Sequence, residues 1–310
     1  MSLIVTGTIG IDTIHTPGGE AREGVLGGSA AYFAAAASFY QTVRMVAVVG
    51  DDLPPEHMRT LGLFRGIDTG GLEVRRGSKT FRWGGKYAEN MDHRETMFTE
   101  LGVLLEEPPS VPQEFKDSAF VFLANTAPSV QMQMLEQFPR RVMAVADTMD
   151  LWIDTARKDL EELIRRVDGL VLNYDEAELF AGKKNTIRAA KKILELGPKF
   201  VVVKKGEHGC LFIHRDGIAA LPAYPAEEVV DPTGAGDTFA GGMMGHIARA
   251  SSRGISHVPS SFDVVRRALA HGTVMASFTI ESFSLDRLAR LRPEEIDRRF
   301  DEFVEMTSVS

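Results

Sequence analysis

The sequence predicts an α/β fold with a mainly parallel central sheet flanked by helices, and three observations carry that prediction. Short β-branched runs recur along the chain, each closed by Gly, Asp or Asn and most followed by a helix-like segment. Two of them, Val46-Ala47-Val48-Val49 and Val201-Val202-Val203, are apolar throughout, which requires cover on both faces and so a central strand between helix layers. The length of 310 residues suits one large unit, at roughly 100–200 residues per domain, so residues 1–310 are read as a single domain.

In chain order, Leu3 to Thr6 is the first strand, and Thr13 to Gly27 has the look of a hairpin. Ser29 to Tyr40, with the alanine run Ala34 to Ala37, reads as a helix leading into the strand Met45 to Val49. Residues Leu72 to Leu101 break the rhythm. Thr80 to Tyr87 mixes aromatic, basic and glycine residues with no helix stripe, which suggests an antiparallel appendage. Segments 13–27 and 72–101 together are expected to form a small β-sheet lid over one end of the main sheet. Further strands follow at Ala119 to Leu123, Val142 to Ala146, Gly169 to Leu172 and Phe200 to Val203. Ligands are expected beyond the carboxyl ends of these strands.

Composition removes several function classes. With 44% hydrophobic and 25% charged residues the chain is ordinary globular material. A net charge of -8 lacks the basic excess that duplex nucleic acid or an anionic membrane favours. No apolar stretch is long enough for a membrane span. The single cysteine, Cys210, permits neither an intrachain disulfide nor a multi-cysteine zinc site, and the start MSLIVTGTIGID carries no secretory leader, so a reducing, cytoplasmic setting is expected. There is no His-Glu-x-x-His, no Cys-x-x-Cys and no Gly-x-Ser-x-Gly.

The most informative segment is Asp231-Pro232-Thr233-Gly234-Ala235-Gly236-Asp237, a loop entering a helix. Small residues there let backbone N–H groups approach a ligand, and the helix N-terminus adds unsatisfied donors and partial positive charge, so an anion can bind. A carboxylate at Asp237 repels a resting phosphate, but it is well placed to accept the proton of a hydroxyl attacking that phosphate. Taken alone, Asp237 also fits a helix-capping carboxylate.

This segment resembles the signature of the PfkB/ribokinase family of carbohydrate and nucleoside kinases, roughly D-T-x-G-A-G-D, with Pro232 in place of the usual Thr. The resemblance extends along most of the chain, through Gly7 to Asp12, Gly27-Gly28-Ser29-Ala30-Ala31, Val49 to Asp52, Gly66 to Thr69, Asn173-Tyr174-Asp175-Glu176 and Lys204 to Gly209. It implies a ribokinase-like sandwich with a β-sheet lid, and an ATP-dependent kinase with an alcohol group as acceptor. By resemblance, Asp237 is the catalytic base, and Gly234, Ala235 and Gly236 stabilise the transferring phosphoryl group. Asp12, Gly27 and Gly28 would position the acceptor, with Tyr32 standing where sugar-binding members often have Asn, and Trp83 on the lid. Asn173, Lys204, Gly206, Gly209 and His271 would border the nucleotide. Asn173 and Glu176 would hold Mg²⁺ through water, and Asp231 and Thr233 would face a monovalent cation, K⁺ being the candidate. Among acceptors with a hydroxymethyl group (sugar, polyol or nucleoside), a free sugar is expected first, a nucleoside second and a sugar phosphate behind them. A non-catalytic nucleotide-binding regulatory protein is the alternative from another class, and lid-to-lid homodimers occur among the proteins it resembles.

Overall fold

A computed structural model of the chain describes residues 1–91, 93–255 and 258–308. Its elements run β1 (Leu3–Thr6), β2 (Gly10–His15), β3 (Ala21–Gly27), α1 (Ser29–Ala37), β4 (Val43–Gly50), α2 (Pro55–Gly62), β5 (Ile67–Arg75), β6 (Phe81–Tyr87) and β7 (Arg94–Glu100). The chain continues through β8 (Phe120–Leu123), α3 (Pro128–Glu136), β9 (Met143–Asp147), α4 (Asp150–Thr155), α5 (Arg157–Arg166), β10 (Gly169–Asn173), α6 (Tyr174–Ala181), α7 (Thr186–Leu194) and β11 (Phe200–Lys204). It ends with β12 (Cys210–His214), β13 (Gly217–Leu221), α8 (Ala235–Ser252), α9 (Phe262–Thr279) and α10 (Pro293–Thr307).

Nine strands form one sheet in the order β13-β12-β11-β10-β9-β8-β1-β4-β5, parallel from β11 to β5, with β12 and β13 antiparallel at one edge. Residues alternate between two cores. Leu3, Val5, Phe120, Phe122 and Val202 pack under α1, α8 and α9, whereas Ile4, Val121, Leu123, Val201 and Val203 face α3, α5, α6 and α7. That two-sided burial is why these strands are apolar at every position. Phe33 of α1 stacks on Phe122 of β8 with ring centroids 4.3 Å apart, and each such fully buried side chain contributes roughly 1.5–3 kcal/mol.

A second sheet, ordered β3-β2-β6-β7, stands over one end of the first. Two features differ from the sequence expectation. Leu72 to Arg75, expected in the lid, instead complete β5, pairing in parallel with β4 in the large sheet. Its pattern of mixed exposure is that of an edge strand covered on one side, and it lacks the apolar run that marks the central strands. The lid is also not wholly antiparallel, because β2 and β6 run in parallel. Asp52 anchors the lid's base, accepting from the Thr80 backbone N–H at 2.7 Å and pairing with Arg82 at 3.0 Å.

Among the described residues no helix is long and apolar enough to cross a membrane. Cys210 is buried in β12, and burial pushes its thiol up to about 12, which makes it inert.

Candidate active site

Three adjacent parallel strands deliver three polar side chains to one edge of the large sheet: Asp147 ends β9, Asn173 ends β10 and Lys204 ends β11. Gln131 of α3 fixes the neighbouring strand ends, donating through Nε2 to the carbonyls of Leu123, Ala124 and Asp147. Lys204 Nζ lies 3.4 Å from Asp147 Oδ2. Asn173 caps α6. Its Oδ1 accepts from the Glu176 N–H at 2.8 Å, and Glu176 Oε2 accepts from the Asn173 N–H at 2.7 Å, a reciprocal capping box.

Opposite these strand ends lies the loop that starts α8. Asp231 Oδ1 accepts from the Thr233 N–H at 2.9 Å, tightening the turn. Gly234 then adopts φ 76°, and a Cβ there would fall 2.4 Å from the ring of Tyr32; both the left-handed backbone and the close approach demand glycine. The Ala235 N–H donates to Pro232 O at 3.1 Å. The N–H groups of Gly234 and Gly236 have no backbone acceptor among the described residues, so they are the loop's open donors. Lys204 Nζ sits beside Gly236, 2.8 Å from where a Cβ would be.

Asp237, in the first turn of α8, is thus held among like and unlike charges. Burial and then the Asp147 charge push its carboxyl up to about 7, with Lys204 and Arg94 opposing. Burial and Asp147 likewise raise Glu176 to about 7. Burial works against the charge on Lys204, yet Asp147, Glu176 and Asp237 hold its ammonium above the usual range. Three recessed carboxyls therefore share one ammonium from the strand ends, an excess of hard oxygen donors that suits a divalent cation. Among the described residues no three His, Cys, Asp or Glu side chains converge as a cage, so such an ion would keep waters or ligand oxygens in its shell, as Mg²⁺ does.

The lid closes the other side. Asp12 on β2 is buried at 4% exposure, its Oδ1 without a partner. A Cβ on Gly27 would lie 1.9 Å from Asp12 Oδ2, so β3 passes the carboxylate only as glycine. Burial, then Asp231 and Asp237, raise Asp12 to about 8. Gly28 follows with φ 95° as the N-cap of α1. Arg94 opens β7 and is exposed like the rest of that strand, yet it stands near enough to the site for its charge to act on Asp12, Asp147, Glu176 and Asp237. Its guanidinium covers the Trp83 ring at 5.4 Å.

The structure therefore brings together most of the residues singled out from sequence. Lys204, Gly206, Gly209, Ala235 and Gly236 line one cleft of about 480 Å³, closed by Thr273 and Ala276 of α9. Two residues are placed differently. His271, expected at the nucleotide, turns away from that cleft and packs between His246 and Phe300 on the far part of α9. Trp83, expected to face the acceptor, is 8% exposed and serves as a platform beneath Arg94. Tyr32 is buried behind Gly234, with its hydroxyl unpartnered near Asp231 and Asp12. Asp147 was not singled out from the sequence, where its signal is an acidic residue closing an apolar parallel strand.

Residues 12–287 match the family described as pfkB family carbohydrate kinase. A cytidine kinase of Thermococcus kodakarensis is 31% identical over 257 residues, covering 80% of this chain and 89% of the relative. Among solved structures, a nucleoside kinase of Burkholderia thailandensis in complex with inosine has TM-score 0.75 at 21% identity, covering 97% of each chain. A ribokinase of Cryptococcus neoformans in complex with ADP has TM-score 0.76 at 20% identity, covering 96% of this chain and 99% of that one.

Proposed function

The chain belongs to the pfkB family of carbohydrate kinases, ATP-dependent enzymes that phosphorylate sugars or nucleosides, and from that premise we propose that its acceptor is the hydroxymethyl group of a nucleoside, with cytidine the first candidate. This reverses the order set by the sequence, where a free sugar stood first. The reversal rests on the cytidine kinase that matches over 80% of the chain, and Tyr32 in place of an acceptor-facing Asn points the same way.

The observation that carries the chemistry is the position of Asp237, beside the open N–H groups of Gly234 and Gly236 and across from Asp12 of the lid. The acceptor hydroxyl, held by Asp12 above Gly27 and Gly28, attacks the γ-phosphorus of ATP. Asp237 takes its proton as the new O–P bond forms and the bond to the bridging β–γ oxygen breaks, releasing ADP. Gly234, Ala235 and Gly236 line the path of the transferring group, and Lys204 and Arg94 offset the charge that develops on it. Asn173 and Glu176, each already engaged in the α6 cap, would act on Mg²⁺ through water, with Asp147 as a third oxygen donor; when bound, the ion neutralises phosphate charge. Gly206 and Gly209 border the phosphates. Asp231 Oδ2, buried and unpartnered beside Thr233, fits a monovalent cation such as K⁺.

The same reading keeps the small sheet as a lid that excludes water, within one domain spanning 1–310, and as a homodimer contact. Every residue of its edge strand β7 is exposed, Met97 and Phe98 among them. A cytoplasmic setting, where ATP is abundant and Cys210 stays reduced, belongs to this reading too.

The test is ADP release with Mg-ATP across cytidine, uridine, adenosine, inosine, ribose and fructose. Nucleoside-dependent turnover with cytidine at the highest kcat/KM is expected. Faster turnover with ribose or fructose restores the sugar reading, and ATP binding without transfer to any acceptor favours a regulatory role.

A further inference from the structure

A second cavity, of about 660 Å³, opens between the far ends of α8 and α9 and the side of α10. It is remote from the chemistry. Arg249 follows Asp237 by 12 residues on the same helix, about 18 Å at the helical rise. One wall is aromatic: His246 stacks on His271 at 3.8 Å and 17°, and His271 on Phe300 at 4.0 Å and 10°, while the Tyr40 ring meets His271 edge-on at 5.5 Å. Burial, then Arg267 and Arg249, hold His246 down to about 4, and burial, then His246 and the same arginines, hold His271 down to about 2, so at neutral pH both are uncharged aromatic surfaces.

The other wall is cationic. Arg249, Arg253 and Arg267 all line the cavity, and among the described residues none of the three makes an ion pair or a side-chain hydrogen bond. Unpaired arginines occur elsewhere on the surface, Arg65 and Arg188 among them, but here three guanidinium groups without a carboxylate partner surround one concavity, a local inversion of the electrostatics of a chain of net charge -8. Among the described residues, Asp297 supplies the one carboxylate in the lining. A planar ring against the aromatic column, an anion at the arginines and an exocyclic amine at Asp297 would satisfy all three features.

We propose that this cavity is a second, non-catalytic binding site for a nucleoside monophosphate carrying an aminated base, recognised by the His246-His271-Phe300 column, Arg249, Arg253, Arg267 and Asp297. Two of the three helices that line it also reach the reaction centre, α8 through Asp237 and α9 through Thr273 and Ala276. Its volume is within the range of small-molecule sites, roughly 300–1,000 Å³.

Equilibrium dialysis of labelled AMP and CMP, with the catalytic cleft saturated by the Mg²⁺ complex of the non-hydrolysable β,γ-imido analogue of ATP together with cytidine, tests the site. About one nucleotide bound per chain is expected, with inorganic phosphate a poor competitor. Arg249→Ala and Arg267→Ala should each weaken binding about tenfold and leave kcat and KM for ATP unchanged without added AMP or CMP. No saturable binding up to about 1 mM, on the scale of weak ligands, overturns the proposal. So does binding that survives both substitutions, which would place the nucleotide away from these arginines. Displacement by phosphate as efficient as by nucleotide would reduce the site to a plain anion patch and overturn it equally.

Discussion

The Tyr87 hydroxyl lies 2.9 Å from Thr233 Oγ1, joining lid strand β6 to the loop that opens α8. Lid and anion loop are therefore in hydrogen-bond contact, so the position of one is felt by the other. Tyr87→Phe keeps the ring and removes that link, which at about 1 kcal/mol corresponds to roughly fivefold. The expected outcome is a kcat/KM for the acceptor lowered about that much, together with faster ADP release in the absence of acceptor, because a looser lid admits water. Unchanged values of both would separate the lid from the loop.

Asp237→Asn preserves shape and hydrogen bonding but cannot take a proton. A general base contributes about 10²–10⁴-fold, so kcat is expected to fall by that order while ATP binding, measured by calorimetry, holds or tightens slightly, since one negative charge near the phosphates is gone. Near-normal turnover would remove Asp237 from the base role.

The pH profile tests the charges around that base. Asp237 is raised to about 7, with the Asp147 carboxylate as the second cause after burial. A base must be deprotonated to act, so kcat/KM should rise with pH through about 7 in the wild type. Asp147→Asn removes a like charge, lowers the Asp237 pKa and should move that limb toward lower pH. A limb that stays in place, or moves up, would mean that another group governs it.

Much of this site could be read from sequence because its parts are backbone features with short signatures. The turn at Gly234 needs a left-handed residue against Tyr32, Asp237 must follow in the first helical turn, and the Asn173–Glu176 box is fixed by a three-residue spacing. Central strands such as β11 announce themselves because both faces are covered. What escaped depends on distant pairing. Asp147 is one acid at a strand end until β9, β10 and β11 align and bring Lys204 to it. Arg94 lies on an exposed strand, and only the fold of the small sheet lays its guanidinium over Trp83, where its charge reaches the carboxyls of the site. His271 misled for the opposite reason: it lies on the helix that borders the cleft, but a few residues further back, where α9 faces α10.

Asp12 sets the last prediction, a stability gain at the expense of function. Its carboxyl is raised from 3.8 to about 8 by burial and by Asp231 and Asp237. Between those values the native chain holds a proton that the unfolded chain has released, and stability falls with rising pH wherever the native state binds more protons. This contribution is harmless below about pH 4 and is felt increasingly toward pH 8; Glu176 and Asp237, both raised to about 7, act in the same direction. Asp12→Asn is neutral throughout, so its Tm should exceed that of the wild type by on the order of a few °C at pH 8, with the gap closing toward pH 5. Acceptor kcat/KM should drop about fivefold, the scale of one lost hydrogen bond. Scanning calorimetry at both pH values decides it. A variant less stable than wild type at pH 8 would show that the Asp12 carboxylate is compensated within the fold, and that burying it beside Gly27 costs the protein nothing.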